Sequence, residues 1–183
     1  MIEMPGDIEQ TLKDEFTNLT SEKSHLPTQI GSIVLLSGES LDSTNVGHED
    51  DGDTERRFEL ALRLFFEKTP SPLFVIDGND EQNRHLKLMT REKGIPDEKV
   101  FIIHNLVSNT LIQIKSISER NLDEPLVFVS DLVHIPRVRR YVKKWLPDLE
   151  FYYDSTEFPL NSDQVQEEIA KIVKYAGLGD LTI

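Results

Sequence analysis

An alternation leaves this chain few folds to adopt. Five short strand-like runs, Ser32–Leu36, Leu73–Ile76, Val100–Ile103, Leu126–Val129 and Leu149–Tyr153, are separated by stretches whose apolar residues recur at helical spacing. Short runs rich in β-branched and aromatic residues read as strands, and continuous apolar ones as strands covered on both faces by helices. The intervening stretches supply those helices. Glu55–Phe66 carries Phe58, Ala61, Leu62, Phe65 and Phe66 on one stripe, and Glu81–Lys93 turns Leu86 and Met89 inward before Gly94 and Pro96 stop it. Ser108–Arg120 buries Leu111, Ile114 and Ile117, and the helix after His134 buries Ile135, Val138, Val142 and Trp145. The last helix is capped by Asn161, with Gln164 placed as in a capping box, and carries Val165, Ile169, Ile172, Val173 and Ala176 up to Gly177. Each crossover is long enough for a parallel connection. With right-handed crossovers this predicts a doubly wound, three-layer α/β fold with a five-stranded, mainly parallel sheet in the order 3-2-1-4-5.

Residues 1–29 stand apart. Ile8, Leu12, Phe16 and Leu19 fit one amphipathic helix, expected as an N-terminal addition to a single domain over 30–183. Composition narrows the function. A net charge of −13 disfavours nucleic acid or an anionic membrane as partner. The chain has no cysteine, which removes thiol chemistry and cysteine-ligated metals, and no apolar run approaches a membrane span. The expected location is cytoplasmic. The stretch His134–Lys144, with Arg137, Arg139, Arg140, Lys143 and Lys144, runs against the overall charge. It reads either as a solvated helix face or as a patch that attracts a small anion.

In such a sheet the carboxyl ends of the strands gather at one edge, where ligands bind. Those ends are polar: Gly38, Glu39 and Ser40 after the first strand, Asp77, Gly78 and Asn79 after the second, His104 and Asn105 after the third, Ser130 and Asp131 after the fourth. Turn chemistry alone explains each of them singly; their meeting at one edge is what favours a site. Asp77 is placed to accept a hydrogen bond from a ribose hydroxyl. His134 and Arg137 open the helix after the fourth strand, three residues apart on one face. The histidine is expected as a proton donor or anion contact and the arginine as an anion clamp. Asn109 and Thr110, at the start of another helix, and Arg57 complete the candidate set. No G-x-G-x-x-G, Walker lysine loop or G-x-S-x-G elbow follows a strand, and the histidines lack zinc-site spacing, so no metal is expected. The acidic residues Glu49, Asp50, Asp51 and Asp53 lack the ligand pattern of a calcium loop.

From about Ile33 to Tyr153 the chain resembles the YdcF/SanA-like proteins, domain of unknown function 218. The match runs through Ser37-Gly38, Arg57, Asp77-Gly78, the stop Gly94-Ile95-Pro96 and Asn109-Thr110. Its most specific part is Val129–Arg137, similar to the family's V-[TS]-x-x-x-H-x-x-R. The resemblance implies a Rossmann-like fold, a small-molecule pocket and, from one reported member, S-adenosylmethionine as a possible cofactor. Members are also linked to the cell envelope, often through a membrane anchor. Where members commonly carry acidic residues this chain has His85 and His104, and Val107 and Ile112-Gln113 also depart from the pattern. The expected function is therefore binding of a nucleotide-like or phosphorylated anion. The alternatives are a catalytically degenerate domain acting through protein–protein contacts and an S-adenosylmethionine-dependent transferase.

Overall fold

The computed structural model describes residues 5–19, 26–36, 53–105, 109–156 and 160–183. Its strands are β1 Ser32–Leu36, β2 Leu73–Gly78, β3 Val100–His104, β4 Leu126–Asp131 and β5 Phe151–Thr156. They form one all-parallel sheet in the order β3-β2-β1-β4-β5. The helices are α1 Pro5–Asn18, α2 Asp53–Glu67, α3 Asp80–Glu92, α4 Thr110–Ser118, α5 Ile135–Trp145 and α6 Ser162–Gly177. The architecture is a Rossmann-like three-layer sandwich, as the alternation predicts.

Side chains alternate across a strand, so each central strand feeds two cores. Ile33, Leu35, Phe74, Ile76, Val127 and Val129 pack against Phe58, Ala61 and Phe65 of α2 and Leu86 of α3. Val34, Leu36, Val75, Leu126 and Phe128 meet Ile114 and Ile117 of α4, Val138, Tyr141 and Val142 of α5, and Ile169 and Ile172 of α6. Helix α1 joins this second layer. Its Leu12 and Phe16 are buried there, it packs on α6, and Glu15 accepts from Arg140 of α5 at 2.6 Å. Gly31 opens β1 where the chain passes the backbone of Asp123 and Glu124. A Cβ at this position would overlap the Asp123 carbonyl.

Three of the boundaries that differ from the sequence reading bear on the cluster described below. Strand β4 continues through Ser130 and Asp131, which the pattern placed in a turn. Strand β5 is Phe151–Thr156 rather than 149–153, because a tight turn from Leu146 to Leu149 delays its start. Asp154, Ser155 and Thr156 then pair with Val129, Ser130 and Asp131. Leu132–His134 is a 3-10 turn leading directly into α5, with Pro136 in that helix's first turn, where its missing N–H costs nothing. From β1 the chain moves one way across the sheet to β2 and β3, then returns to β4. In open α/β sheets such a reversal, here at the carboxyl ends of β1 and β4, is where a ligand crevice forms.

Candidate functional site

A connected set of charged side chains lies at that reversal. Arg57, near the start of α2, is only 2% exposed. Its Nη1 donates to the Leu36 carbonyl at the end of β1 at 3.0 Å, which fixes the guanidinium over the sheet edge. Its Nε donates to Asp131 Oδ2 at 2.8 Å, and its Nη2 reaches the same oxygen. The other oxygen of Asp131 accepts from the Thr156 hydroxyl at 2.7 Å. This last contact exists only because β4 and β5 both run longer than their apolar cores.

Glu168 of α6 is the second centre. Its carboxylate takes a fork from Arg137, with Nε at 2.7 Å and Nη2 at 3.2 Å, and a further bond from Lys171 at 3.1 Å. Arg137 Nη1 donates to the Thr110 hydroxyl at 3.2 Å, tying α4 to α5. A guanidinium has no acceptor, so Thr110 accepts here and keeps its own proton for another partner.

His134 joins the two centres. Its Nδ1 lies 3.2 Å from Arg57 Nη2 and its Nε2 lies 3.6 Å from Glu168 Oε1. Because Arg57 can only donate, Nδ1 must present its lone pair, and the ring's proton sits on Nε2, facing Glu168. The imidazole is therefore neutral. Burial, then the charges of Arg57, Arg137 and Lys171, hold its pKa well below the usual 6.5. Arg57, Arg137 and Lys171 stand against Asp131 and Glu168, which leaves one positive charge in excess. His134 and Lys171 are the members that reach solvent, with side chains 26% and 33% exposed.

A different polar group closes the end of β2. Asp77 is fully buried and accepts from the Asn105 amide. Asn105 in turn accepts from the Ser116 hydroxyl at 2.7 Å, and Gln113 of α4 donates to the Asp77 carbonyl at 2.7 Å. Asn83 bridges the carbonyls of Gly78 and Ile103 at 2.9 Å each. Burial pushes the Asp77 carboxyl up to about 7, against the lowering effects of Asn105 and Arg120.

The candidates thus divide. Arg57, Asp131, His134, Arg137 and Thr110 are brought together, while Ser130 is buried beside them in β4. Arg137 is engaged by Glu168 and Thr110 rather than held open as a clamp, and neutral His134 offers a hydrogen bond rather than an acidic proton. Asp77 is buried, with its carboxyl on the Asn105 amide and its carbonyl on that of Gln113. Asn79 and Gly78 build the start of α3, where Asn79 forms a capping box with Gln82. Asn109 caps α4 by accepting from Ile112 N–H at 3.0 Å. His104 pairs with Asp80 at 3.0 Å, out in solvent. Gly38, Glu39, Ser40 and the acids 49–51 lie outside the described residues.

Glu168, Thr156 and Lys171 were absent from the candidate set. Glu168 had a signal: Val165, Glu168, Ile169 and Ile172 follow helical core spacing, so a carboxylate stands on a buried stripe. Among the described residues no group of acids and histidines is arranged to hold a metal, and no helix is long and apolar enough to cross a membrane. Comparison with protein-family models, with curated proteins and with solved structures found no match to this chain.

Proposed function

We propose that the chain is a YdcF/SanA-like cytoplasmic protein that binds a phosphorylated or nucleotide-like small anion outside the carboxyl ends of β1 and β4. One observation carries this reading. Arg57, Arg137 and Lys171 outnumber Asp131 and Glu168 around a partly exposed neutral imidazole, at the place where open α/β sheets take their ligands. Arg57 and Arg137 hold the frame; Lys171, the Thr110 hydroxyl and the edge of His134 are the groups available to a ligand. The test is a thermal-shift panel of inorganic phosphate, sugar phosphates, nucleoside monophosphates and S-adenosylmethionine. A phosphorylated ligand present at a hundred times its Kd adds about 2.7 kcal/mol to stability. Lys171→Ala should weaken that response without unfolding the protein.

A second reading is favoured by the inward engagement of both ring nitrogens of His134 and of the guanidinium donors of Arg57 and Arg137. In that reading the crevice is catalytically degenerate and the domain works through protein contacts. Stabilisation by S-adenosylmethionine alone would instead support a transferase. If no compound of the panel stabilises the protein, small-molecule binding is excluded and the protein-contact reading remains.

A further inference from the structure

We infer that anion occupancy and protonation of His134 are coupled, so that a dianionic oxyanion such as a phosphate monoester enters the crevice together with a proton. This rests on the anion-binding reading above and goes beyond it by fixing the charge of the ligand and its pH dependence.

The argument begins with the contact between Arg57 and His134. At 3.2 Å the Nδ1 lone pair is the only acceptor the ring can offer Arg57 Nη2. A second proton on the ring converts that acceptor into a donor facing a donor, so this contact opposes protonation. The other charged neighbours act the same way or are already committed. From α5, Arg137 repels a cationic ring; from α6, Lys171 does so too. Glu168 of α6 would attract it, but its oxygens are held by the Arg137 fork and by Lys171. Asp131, at the end of β4, is held by Arg57 and Thr156. Tyr141 of α5 is buried in the hydrophobic layer, with its hydroxyl pKa pushed up to about 12, so it supplies no negative charge.

An oxyanion reverses this balance. Its oxygens are acceptors, so one of them at the partly exposed edge of His134 can receive the second ring proton, and its negative charge offsets the repulsion from Arg57, Arg137 and Lys171. Without a ligand the cluster carries one positive charge in excess; with His134 protonated it carries two. Two is the charge of a phosphate monoester in its fully ionised form. By linkage the anion raises the affinity of the ring for its proton by the factor by which that proton raises affinity for the anion.

Sulfate is the probe, because it stays a dianion across the working range and any proton taken up belongs to the protein. Calorimetric titration of the full chain in buffers of different ionisation enthalpy should show uptake approaching one proton per sulfate near pH 7. Affinity should tighten roughly five- to tenfold from pH 7.5 to pH 6.5. The His134 ring resonance, followed by NMR in the wild-type protein and needing no variant, should titrate at least about two pH units higher when sulfate is bound. His134→Gln, which keeps a side-chain donor and acceptor but cannot titrate, should bind sulfate with no proton uptake. Sulfate that binds equally at both pH values, with no buffer-dependent heat, overturns the coupling and leaves anion binding intact. Failure of sulfate and of every phosphorylated compound to bind overturns both.

Discussion

Two buried polar groups lie at the same edge of the sheet and solve the same problem in opposite ways. At the ends of β1 and β4 arginines reach in from α2 and α5 to pair with the carboxylates of Asp131 and Glu168. At the end of β2 the carboxyl of Asp77 accepts from the Asn105 amide, whose own oxygen accepts from the Ser116 hydroxyl, and the charge of Arg120 acts on it too. Burial penalises the charged form more than Asn105 and Arg120 favour it, so that carboxyl titrates at about 7. A cluster of paired charges with one positive in excess can answer a charged ligand; a group held by amides takes up a proton and serves the packing. Both positions end in polar strand tips, and nothing in the turn residues themselves separates them.

The comparison breaks most sharply at Glu168. Glu168→Ala removes the carboxylate that holds the Arg137 fork and leaves a buried guanidinium without its counter-charge. A loss of about 3–5 kcal/mol is expected in urea unfolding. Asp77→Ala should cost less, because the group left behind is an amide. If the two losses come out equal, the distinction between a charged and a neutral cluster is wrong.

The two groups should also give stability opposite slopes against pH. The folded chain keeps a proton on Asp77 that the unfolded chain has released, so this residue's contribution falls as pH rises from about 4 to about 7. Its full effect is about 2–4 kcal/mol, and Asp77→Asn should remove it. His134 acts in the other direction. Its folded pKa lies below 6.5, so as pH falls through 6.5 the unfolded chain gains a proton that the folded chain refuses, and stability drops. His134→Gln should flatten that acid limb alone. Stability curves of the two variants between pH 4 and 8 separate the contributions; parallel curves would show that neither group titrates as its surroundings dictate.

The fold was legible because strand and helix periodicity are local properties. Crossover handedness favours a doubly wound sheet, and the order 3-2-1-4-5 expected within that class is the one found. The site was legible in part. Arg57, Asp131, His134 and Arg137 lie at strand ends or helix starts, where position alone brings them together. Glu168 and Lys171 come from the middle of α6, and their place depends on how that helix packs, which no strand-end rule describes. Thr156 was lost through a boundary: polar Asp154–Thr156 reads as loop, yet it pairs as strand because β4 supplies the partner. The readings that fared least well concern Asp77, Asn79 and Asn109. These residues resemble ligand contacts in sequence, while burial and helix capping account for them in the fold.

Arg57→Lys sharpens the comparison at a smaller scale. Lysine keeps the charge and loses the planar fork that serves Leu36, Asp131 and His134 together. A loss of about 1–3 kcal/mol is expected, with the His134 resonance moving toward an ordinary titration as its Nδ1 loses the fixed donor. An unchanged His134 titration would show that Arg57 does not set the tautomer.

The smallest expected effects separate helix capping from ligand binding. Asn79 caps α3 with a reciprocal box through Gln82, while Asn109 caps α4 with a single bond to Ile112. Replacing either by alanine removes one side-chain acceptor from a helix start and should cost about 1 kcal/mol, since the backbone N–H of residue 79 keeps its bond to Gln82 Oε1. Neither change touches the charges around His134. Sulfate affinity, measured by calorimetry, should therefore remain within about twofold in Asn79→Ala. Asn109 adjoins Thr110, whose hydroxyl faces Arg137, so loosening the first turn of α4 can reach the cluster through that one bond. A drop in sulfate affinity confined to Asn109→Ala would place α4 on the ligand side of the crevice. Equal, small effects in both variants would confine the ligand to the groups of α5 and α6.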